Sequence, residues 1–216
     1  GHGCSMGVHE SQSRICENQL GRSEAFTSFI YGRMRDVFGS FGVASERQFY
    51  QVVNRVSRGY IRTEADELQY NLHVMMRFDL ERDLMSGQLE VSDLEAAWND
   101  RFLSDFGYAV NRPSHGMLQD VHWSIGLFGY FPTYSLGNVY AGCLYENLQS
   151  AYPNLDTDLA SGNLGPACAW LKQNVQQYGN LLPAHELMTA ACGEAPSEAA
   201  FLRYIETKFS DLYDLS

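Results

Sequence analysis

The feature that most constrains this chain is the spacing of its apolar residues, which return every three or four positions along most of its length. In the first long run Ile15, Leu20, Phe26, Phe29, Ile30, Met34 and Val37 recur at mixed intervals of three and four, the period of a helix with one buried face. No two-residue hairpin signal stands between alternating apolar runs. The punctuation agrees with helices. Gly39 and Gly42 close the first segment, over about residues 9–38. Ser45 with Gln48 three residues on is a capping box, opening a helix that carries Phe49, Val52, Val53 and Val56. Thr63 is the expected N-cap of a third helix, with Glu64, Asp66 and Glu67 in its first turn, Leu68, Leu72, Met75, Met76 and Phe78 as its apolar stripe, and Gly87 as its stop. Ser92 with Glu95 opens a fourth, which ends near Gly107. Further helices are expected from Thr133 or Tyr134 to about Tyr152 and over about residues 166–178, 183–192 and 197–212.

One stretch breaks the pattern. Between Tyr108 and Pro132, Pro113, Gly116, Gly126 and Gly129 are interleaved with Trp123, Phe128, Tyr130 and Phe131. Such punctuation reads as loops and short helices, and the aromatics as anchors that keep them ordered. There is no internal repeat and no low-complexity tract. The whole is read as one all-α, multi-helix domain over residues 1–216, in which Gly1-His2-Gly3 is either native or a tag remnant. Met75, Met76, Phe78, Trp98 and Trp170 are expected in the core.

Charge and cysteine content exclude several functions. The formal net charge is −11, and the basic residues are scattered, so a phosphate backbone has no surface to bind; nucleic acid is not an expected partner. No run approaches the ~20 apolar residues needed to cross a membrane. The five cysteines are odd in number and show no Cys-x-x-Cys spacing, which reads as mostly buried, reduced thiols in a cytoplasmic protein.

Three polar segments stand out against this background: His9-Glu10-Ser11-Gln12-Ser13-Arg14, Ile61-Arg62-Thr63-Glu64-Ala65-Asp66, and Gly116-Met117-Leu118-Gln119-Asp120-Val121-His122-Trp123. On their residues, Glu10 and Arg14 are four apart on a helix and can pair across one turn, either steadying a ligand carboxylate or forming an exposed ion pair of little worth. His9 points about 100° away from Glu10, and is either bonded to backbone or water at a helix start or in contact with a substrate. Arg62 sits at a helix entrance, where it can pair with Glu64 or Asp66 or offer its planar fork to a carboxylate. Asp66 reads as structural support for that entrance. Asp120 can hold one imidazole nitrogen of His122 while the other faces a substrate.

Together and in this order the three segments, with Phe128-Gly129-Tyr130-Phe131-Pro132-Thr133-Tyr134, resemble the carboxypeptidase Taq family of zinc metallocarboxypeptidases. The resemblance runs from about Gly7 to the C-terminus. It implies a mostly helical protein forming one wall of a peptidase cleft, and an enzyme that removes single residues from peptide C-termini. It further implies that Glu10 is a zinc ligand, that Arg62 holds the substrate's terminal carboxylate, that Gln119 binds the substrate backbone, and that His122 with Tyr130 or Tyr134 stabilises the transition state. Peptides with a free C-terminus are then the expected partners, zinc (with cobalt as a substitute) the expected metal, and a homodimer the expected assembly. Glu10, Arg62, Gln119 and His122 are expected to line one concave surface.

One element of the family is absent. Its members carry an H-E-x-x-H helix upstream of the His-Glu-Ser segment, and the nearest string here, His185-Glu186-Leu187-Met188-Thr189, ends in Thr. The chain is therefore read as the C-terminal portion of such an enzyme, inactive alone and without a tightly bound metal. The alternative is a helical interaction or scaffold domain derived from the same fold, which gives no physical reason to keep Glu10, Arg62, Gln119 and His122 together.

Overall fold

The computed structural model describes residues 3–215, so Gly1 and His2 of the tag-remnant reading lie outside the described residues. The fold is all-α, with no strand among the described residues. Ten α-helices follow one another: α1 (Met6–Arg14), α2 (Glu24–Phe38), α3 (Glu46–Val53), α4 (Glu67–Ser86), α5 (Leu94–Phe106), α6 (Pro132–Ala151), α7 (Leu155–Ala160), α8 (Gly165–Asn174), α9 (Ala184–Cys192) and α10 (Glu198–Tyr213).

The long first helix expected from periodicity is in fact two. After α1 the backbone loosens into a π-helical segment, Ile15–Leu20, closed by the Gly21 N–H on the Cys16 carbonyl at 2.9 Å. Any side chain at Gly21 would place its Cβ 2.7 Å from that carbonyl oxygen, so the closure depends on glycine. Ser23 then caps α2, its Oγ accepting from the Phe26 N–H at 3.1 Å. Of the apolar residues that carry the periodicity across the break, Ile15 and Leu20 are buried and Phe26, Phe29, Ile30 and Met34 partly so, while Val37 is exposed.

The cap of α4 is also displaced. Arg62–Glu64 form a single 3₁₀ turn, Ala65 is extended, and Asp66 rather than Thr63 is the N-cap. Asp66 Oδ1 accepts from the Gln69 N–H at 2.9 Å, and Oδ2 from the Ser57 N–H at 3.0 Å. Asp66 thus supports the entrance by capping. Gly87, in the left-handed region with φ 72°, stops the helix as expected. Within α4, Leu68 and Met75 are exposed, while Tyr70, His73, Val74, Met76, Arg77, Leu80 and Glu81 are buried. The buried stripe is therefore mixed rather than apolar.

The chain divides into two units. The larger, Gly1–Arg55 with Leu136–Ser216, is organised around an apolar core that includes Ile15, Leu20, Leu144, Leu148, Leu159, Leu171, Leu187 and Met188, with α2 packed on α3 and α7. Full burial of each such side chain contributes roughly 1.5–3 kcal/mol. The smaller, Val56–Ser135, packs α4 on α5 around Met76, Leu80, Leu94, Trp98 and Phe102, with Tyr70, Val74 and Phe131 as a second cluster. All five cysteines are free; Cys143 and Cys192 are buried, but Cys16 and Cys168 are exposed, so the thiols are less buried than expected.

Candidate active site

In the smaller unit a buried polar cluster forms around Arg62. Its Nε and Nη2 both donate to Asp120 Oδ1, at 3.0 and 2.7 Å, and its Nη1 donates to the Tyr70 hydroxyl at 3.0 Å. A guanidinium carries five N–H groups, so one on each terminal nitrogen remains beyond these bonds. The guanidinium lies 4.7 Å above the Tyr134 ring, a cation–π contact that holds its plane. Burial lowers the affinity of Arg62 for its proton, but the hydrogen bond and charge of Asp120 outweigh this and raise it overall. Arg62 is a permanent cation.

Gln119 fixes the backbone of Arg62. Its Oε1 accepts from the Arg62 N–H at 2.9 Å, while its Nε2 donates to the carbonyls of Tyr60, His115 and Gly116 at 3.0–3.1 Å. Both ends of this amide are engaged within the unit.

Asp120 does not hydrogen-bond His122, whose Nδ1 lies 3.9 Å from Oδ1. It bridges two arginines instead: Oδ1 faces Arg62, and Oδ2 accepts from Arg77 Nε at 2.5 Å. Burial pushes the Asp120 carboxyl up, and the two arginines together bring it below the ordinary carboxylate value. Arg77, fully buried on α4, also donates through Nη1 to the His73 carbonyl at 2.8 Å and lies 4.6 Å above the Trp98 ring. Burial lowers its pKa to about 10. Burial, with Arg77 beside it, holds His73 neutral with a pKa of about 3.

His122 and Tyr134 form the second half of the cluster. His122 Nε2 and the Tyr134 hydroxyl share a hydrogen bond of 3.0 Å. Burial, then the charge of Arg62, lowers the His122 pKa, so the imidazole is neutral at neutral pH. Tyr130 stands beside both, its ring centroid 5.6 Å from His122 and 5.4 Å from Tyr134. The loop that carries these residues is tied to α4 by Glu81. One of its oxygens accepts from the Trp123 indole at 2.7 Å, and the other from the Gly129 N–H. Asn71 and Ser135 add a further bond at 2.9 Å.

Arg62, Gln119, Asp120, His122, Tyr130 and Tyr134 are thus brought together. Four partners escaped the sequence reading: Tyr70, His73, Arg77 and Glu81. They recur at intervals of three and four along α4, the signal that could have marked them.

The remaining candidates lie in the larger unit. Glu10 is half-buried on α1; its Oε1 accepts from Arg14 Nε at 2.8 Å and its Oε2 from Ser13 Oγ at 3.2 Å. Arg14 continues to Glu17 at 3.5 Å. Gly137 of α6 lies directly against Glu10: a Cβ there would fall 2.5 Å from Glu10 Cγ, so this close approach of α1 and α6 requires glycine. His9 is exposed. A carboxylate with its orientation fixed suits one position of a catalytic zinc site, which takes three protein ligands as a rule. Among the described residues no group of three His, Cys, Asp or Glu is placed to hold a metal. The donor set therefore fits one ligand of such a site and not the site as a whole.

Comparisons with known proteins place this geometry in context. The family model for the carboxypeptidase Taq (M32) metallopeptidases matches residues 1–209. Thermostable carboxypeptidase 1 of Thermus thermophilus is 41% identical over 213 residues, which cover 99% of this chain and 42% of that protein. Among solved structures, an M32 carboxypeptidase from Deinococcus radiodurans R1 superposes with a TM-score of 0.96 at 41% identity, over 100% of this chain and 44% of that one. Metallocarboxypeptidase 1 of Trypanosoma cruzi gives 0.93 at 39% identity, over 97% and 44% respectively. The chain spans about two-fifths of the length of the curated relatives it matches.

Proposed function

The chain belongs to the carboxypeptidase Taq (M32) metallopeptidase family, and we propose that it is the C-terminal portion of an enzyme that removes single residues from peptide C-termini. The observation that carries the reading is Arg62. It is a buried guanidinium fixed by Asp120, Tyr70 and the Tyr134 ring, with one N–H left on each terminal nitrogen, beside a hydrogen-bonded His122–Tyr134 pair. Two parallel N–H groups are what a terminal carboxylate requires for a bidentate bond.

In this proposal Arg62 binds the carboxylate of the substrate's last residue. With His122 Nε2–H donating to its oxygen, the Tyr134 hydroxyl turns its own hydrogen to where negative charge develops on the scissile carbonyl oxygen, and His122 holds it there, with Tyr130 as the neighbouring donor. Gln119 acts through Arg62, since both ends of its amide are engaged, and Asp120 orients the guanidinium. Glu10, steadied by Arg14 and Ser13, supplies one metal ligand, and His9 on the same helix contacts substrate. Glu10 would hold one position of a zinc ion, or of cobalt in its place, whose chemistry when bound would be Lewis-acid activation of the scissile carbonyl and of water. One carboxylate does not retain such an ion, so the chain alone should be inactive and show no tight zinc binding in calorimetric titration. The setting is cytoplasmic and the assembly a homodimer. No helix among the described residues is long and apolar enough to cross a membrane.

A scaffold role leaves the buried charges of the smaller unit without a purpose, because replacing such ion pairs by apolar residues is often neutral or stabilising. The test is specificity. A full-length enzyme that contains this chain should cleave a peptide with a free C-terminus and leave its C-terminal amide essentially intact. Equal cleavage of both would remove the carboxylate-clamp reading.

A further inference from the structure

Arg62 poses an electrostatic problem that the clamp reading does not resolve. A guanidinium paired with one carboxylate is neutral as a pair, and a neutral pair attracts a substrate carboxylate weakly. Asp120 lies in hydrogen-bond contact with Arg62 and is itself ionised, its carboxyl held below the ordinary value by the arginines that flank it. Considered as a pair, the two would cancel.

They are not a pair. Arg77 takes the second oxygen of Asp120 through Nε at 2.5 Å, so Arg62 reaches Oδ1 only. Among the described residues no other charged side chain hydrogen-bonds any of the three. His73, one turn before Arg77, is neutral at working pH with a pKa of about 3. His122 is neutral as well, its pKa lowered by burial and then by Arg62. Glu81, one turn after Arg77, carries a further negative charge, but its oxygens go to the Trp123 indole and the Gly129 N–H rather than to either arginine, so it stands outside the direct contact of the three. Tyr70 donates no charge. Three charged groups in direct contact therefore carry two positive charges and one negative.

We infer that Arg77 is a positioning residue for carboxylate recognition: by holding one oxygen of Asp120 it keeps the Arg62–Asp120–Arg77 cluster at one net positive charge, which a substrate carboxylate neutralises. Arg77 has no outlet of its own toward a ligand. It is fully buried, held by the His73 carbonyl, and covered by the Trp98 ring, so it acts through Asp120. The placement also explains why a smaller unit with a modest core retains a second buried arginine. In a poorly solvated setting an unbalanced charge attracts an anion far more strongly than it would in water.

The inference rests on the reading of Arg62 as the carboxylate clamp, and its test separates the two. In a full-length enzyme containing this chain, the measured quantities are KM and kcat on a peptide with a free C-terminus. Alongside them goes the inhibition constant of an N-acyl amino acid against that of its C-terminal amide. Arg77→Met lets Asp120 close on Arg62 with both oxygens. KM and the inhibition constant of the acid should then rise about tenfold or more, kcat should stay within about threefold, and the amide should be unaffected. Arg77→Lys keeps the charge but loses the fork that reaches Asp120, the His73 carbonyl and the Trp98 ring, so it should recover only part of what Arg77→Met loses. The decisive variant is Asp120→Asn/Arg77→Met, which removes one charge of each sign and restores the net charge of one. It should bind the acid better than Arg77→Met does. If Arg77 only held Asp120 in place, the double variant would be no better than the single one, and that result overturns the inference. Unfolding of Arg77→Met is checked by circular dichroism. In that case Arg77→Lys and the double variant decide, and loss of the acid-over-amide preference in both overturns it. An Arg62→Ala enzyme that still prefers the acid would instead remove the clamp reading itself.

Discussion

Among the described residues the larger unit buries Ser11, Asn18, Gln19, Thr27, Asn54 and Asn138, all neutral, with Lys208 the one charged exception; the smaller unit buries Arg62, Glu67, His73, Arg77, Glu81 and His122, all ionisable. The larger unit is held by aliphatic packing around Leu144, Leu148 and Leu159. The smaller replaces part of such a core with a hydrogen-bonded charge network. A buried ion pair is a weak source of stability, because desolvation offsets most of the attraction. The difference therefore teaches where selection for chemistry outweighs selection for stability. A preorganised field needs fixed charges in a dry place, and the smaller unit is built to provide one.

The largest expected effect is that of Asp120→Ala. It leaves Arg62 and Arg77 facing each other with no carboxylate between them, and breaking such a buried cluster typically costs 3–5 kcal/mol, about the same here. Hydrogen exchange should show lost protection in α4 and the 116–131 loop first, with the larger unit little changed. Equal loss across both units would break the contrast.

Leu148→Ala in the larger unit sharpens it from the other side. The side chain is fully buried, and its truncation should cost about 2–5 kcal/mol. That loss should be the same at pH 7 and near pH 4, since no titrating group is involved. The smaller unit should respond to acid instead. His73 has a folded pKa of about 3 against an ordinary 6.5, so the unfolded chain binds the proton more readily. Its contribution is fully present above about pH 6.5 and is lost as pH falls toward 3, on the order of 3 kcal/mol near pH 4. Asp120 adds to this below its ordinary carboxylate range, with the same sign. His73→Phe should flatten the first limb; an unchanged acid profile in that variant would assign the effect elsewhere.

Gly137→Ala is a smaller perturbation. Its Cβ would meet Glu10 Cγ at 2.5 Å, and overpacking of this kind typically costs about 1–3 kcal/mol. Thermal melting of this chain reads the stability. Metal titration of the full-length enzyme should show weaker zinc binding, because Glu10 must shift to make room. Full stability with a displaced Glu10 ruled out by unchanged metal affinity would show that α1 and α6 tolerate the methyl.

Which parts of this were legible in the sequence follows the same contrast. Helix positions in the larger unit followed from periodicity, because its buried face is apolar and apolar periodicity is what one reads. Even there, the π segment at Ile15–Leu20 went unnoticed, since the apolar spacing survives it. In the smaller unit the segments around Arg62 and Gln119-Asp120-Val121-His122 were visible as polar motifs. Their anchors on α4 were not. Apolar spacing reads the stripe as Leu68, Leu72, Met75, Met76 and Phe78, of which Met76 is buried but Leu68 and Met75 are exposed, because a buried arginine and glutamate contradict the rule that picks a buried face. The interval of Tyr70, His73, Arg77 and Glu81 held that information all along. Adjacency points Asp120 at His122, whereas its carboxylate reaches two arginines distant in sequence, which only the fold reveals.

The most direct test of the central claim is Arg62→Ala in a full-length enzyme that contains this chain, measured as kcat/KM on a free-acid peptide and on its amide, with metal content determined in parallel. Truncating one partner of a desolvated, bidentate charge pair is worth roughly 2–5 kcal/mol, or about thirty- to several-thousand-fold in rate. The expected result is a loss of that size on the free acid, little change on the amide, and metal content equal to wild type. Wild-type turnover of the free acid with metal intact would contradict the account, and the terminal carboxylate would then have to be held by a residue other than Arg62.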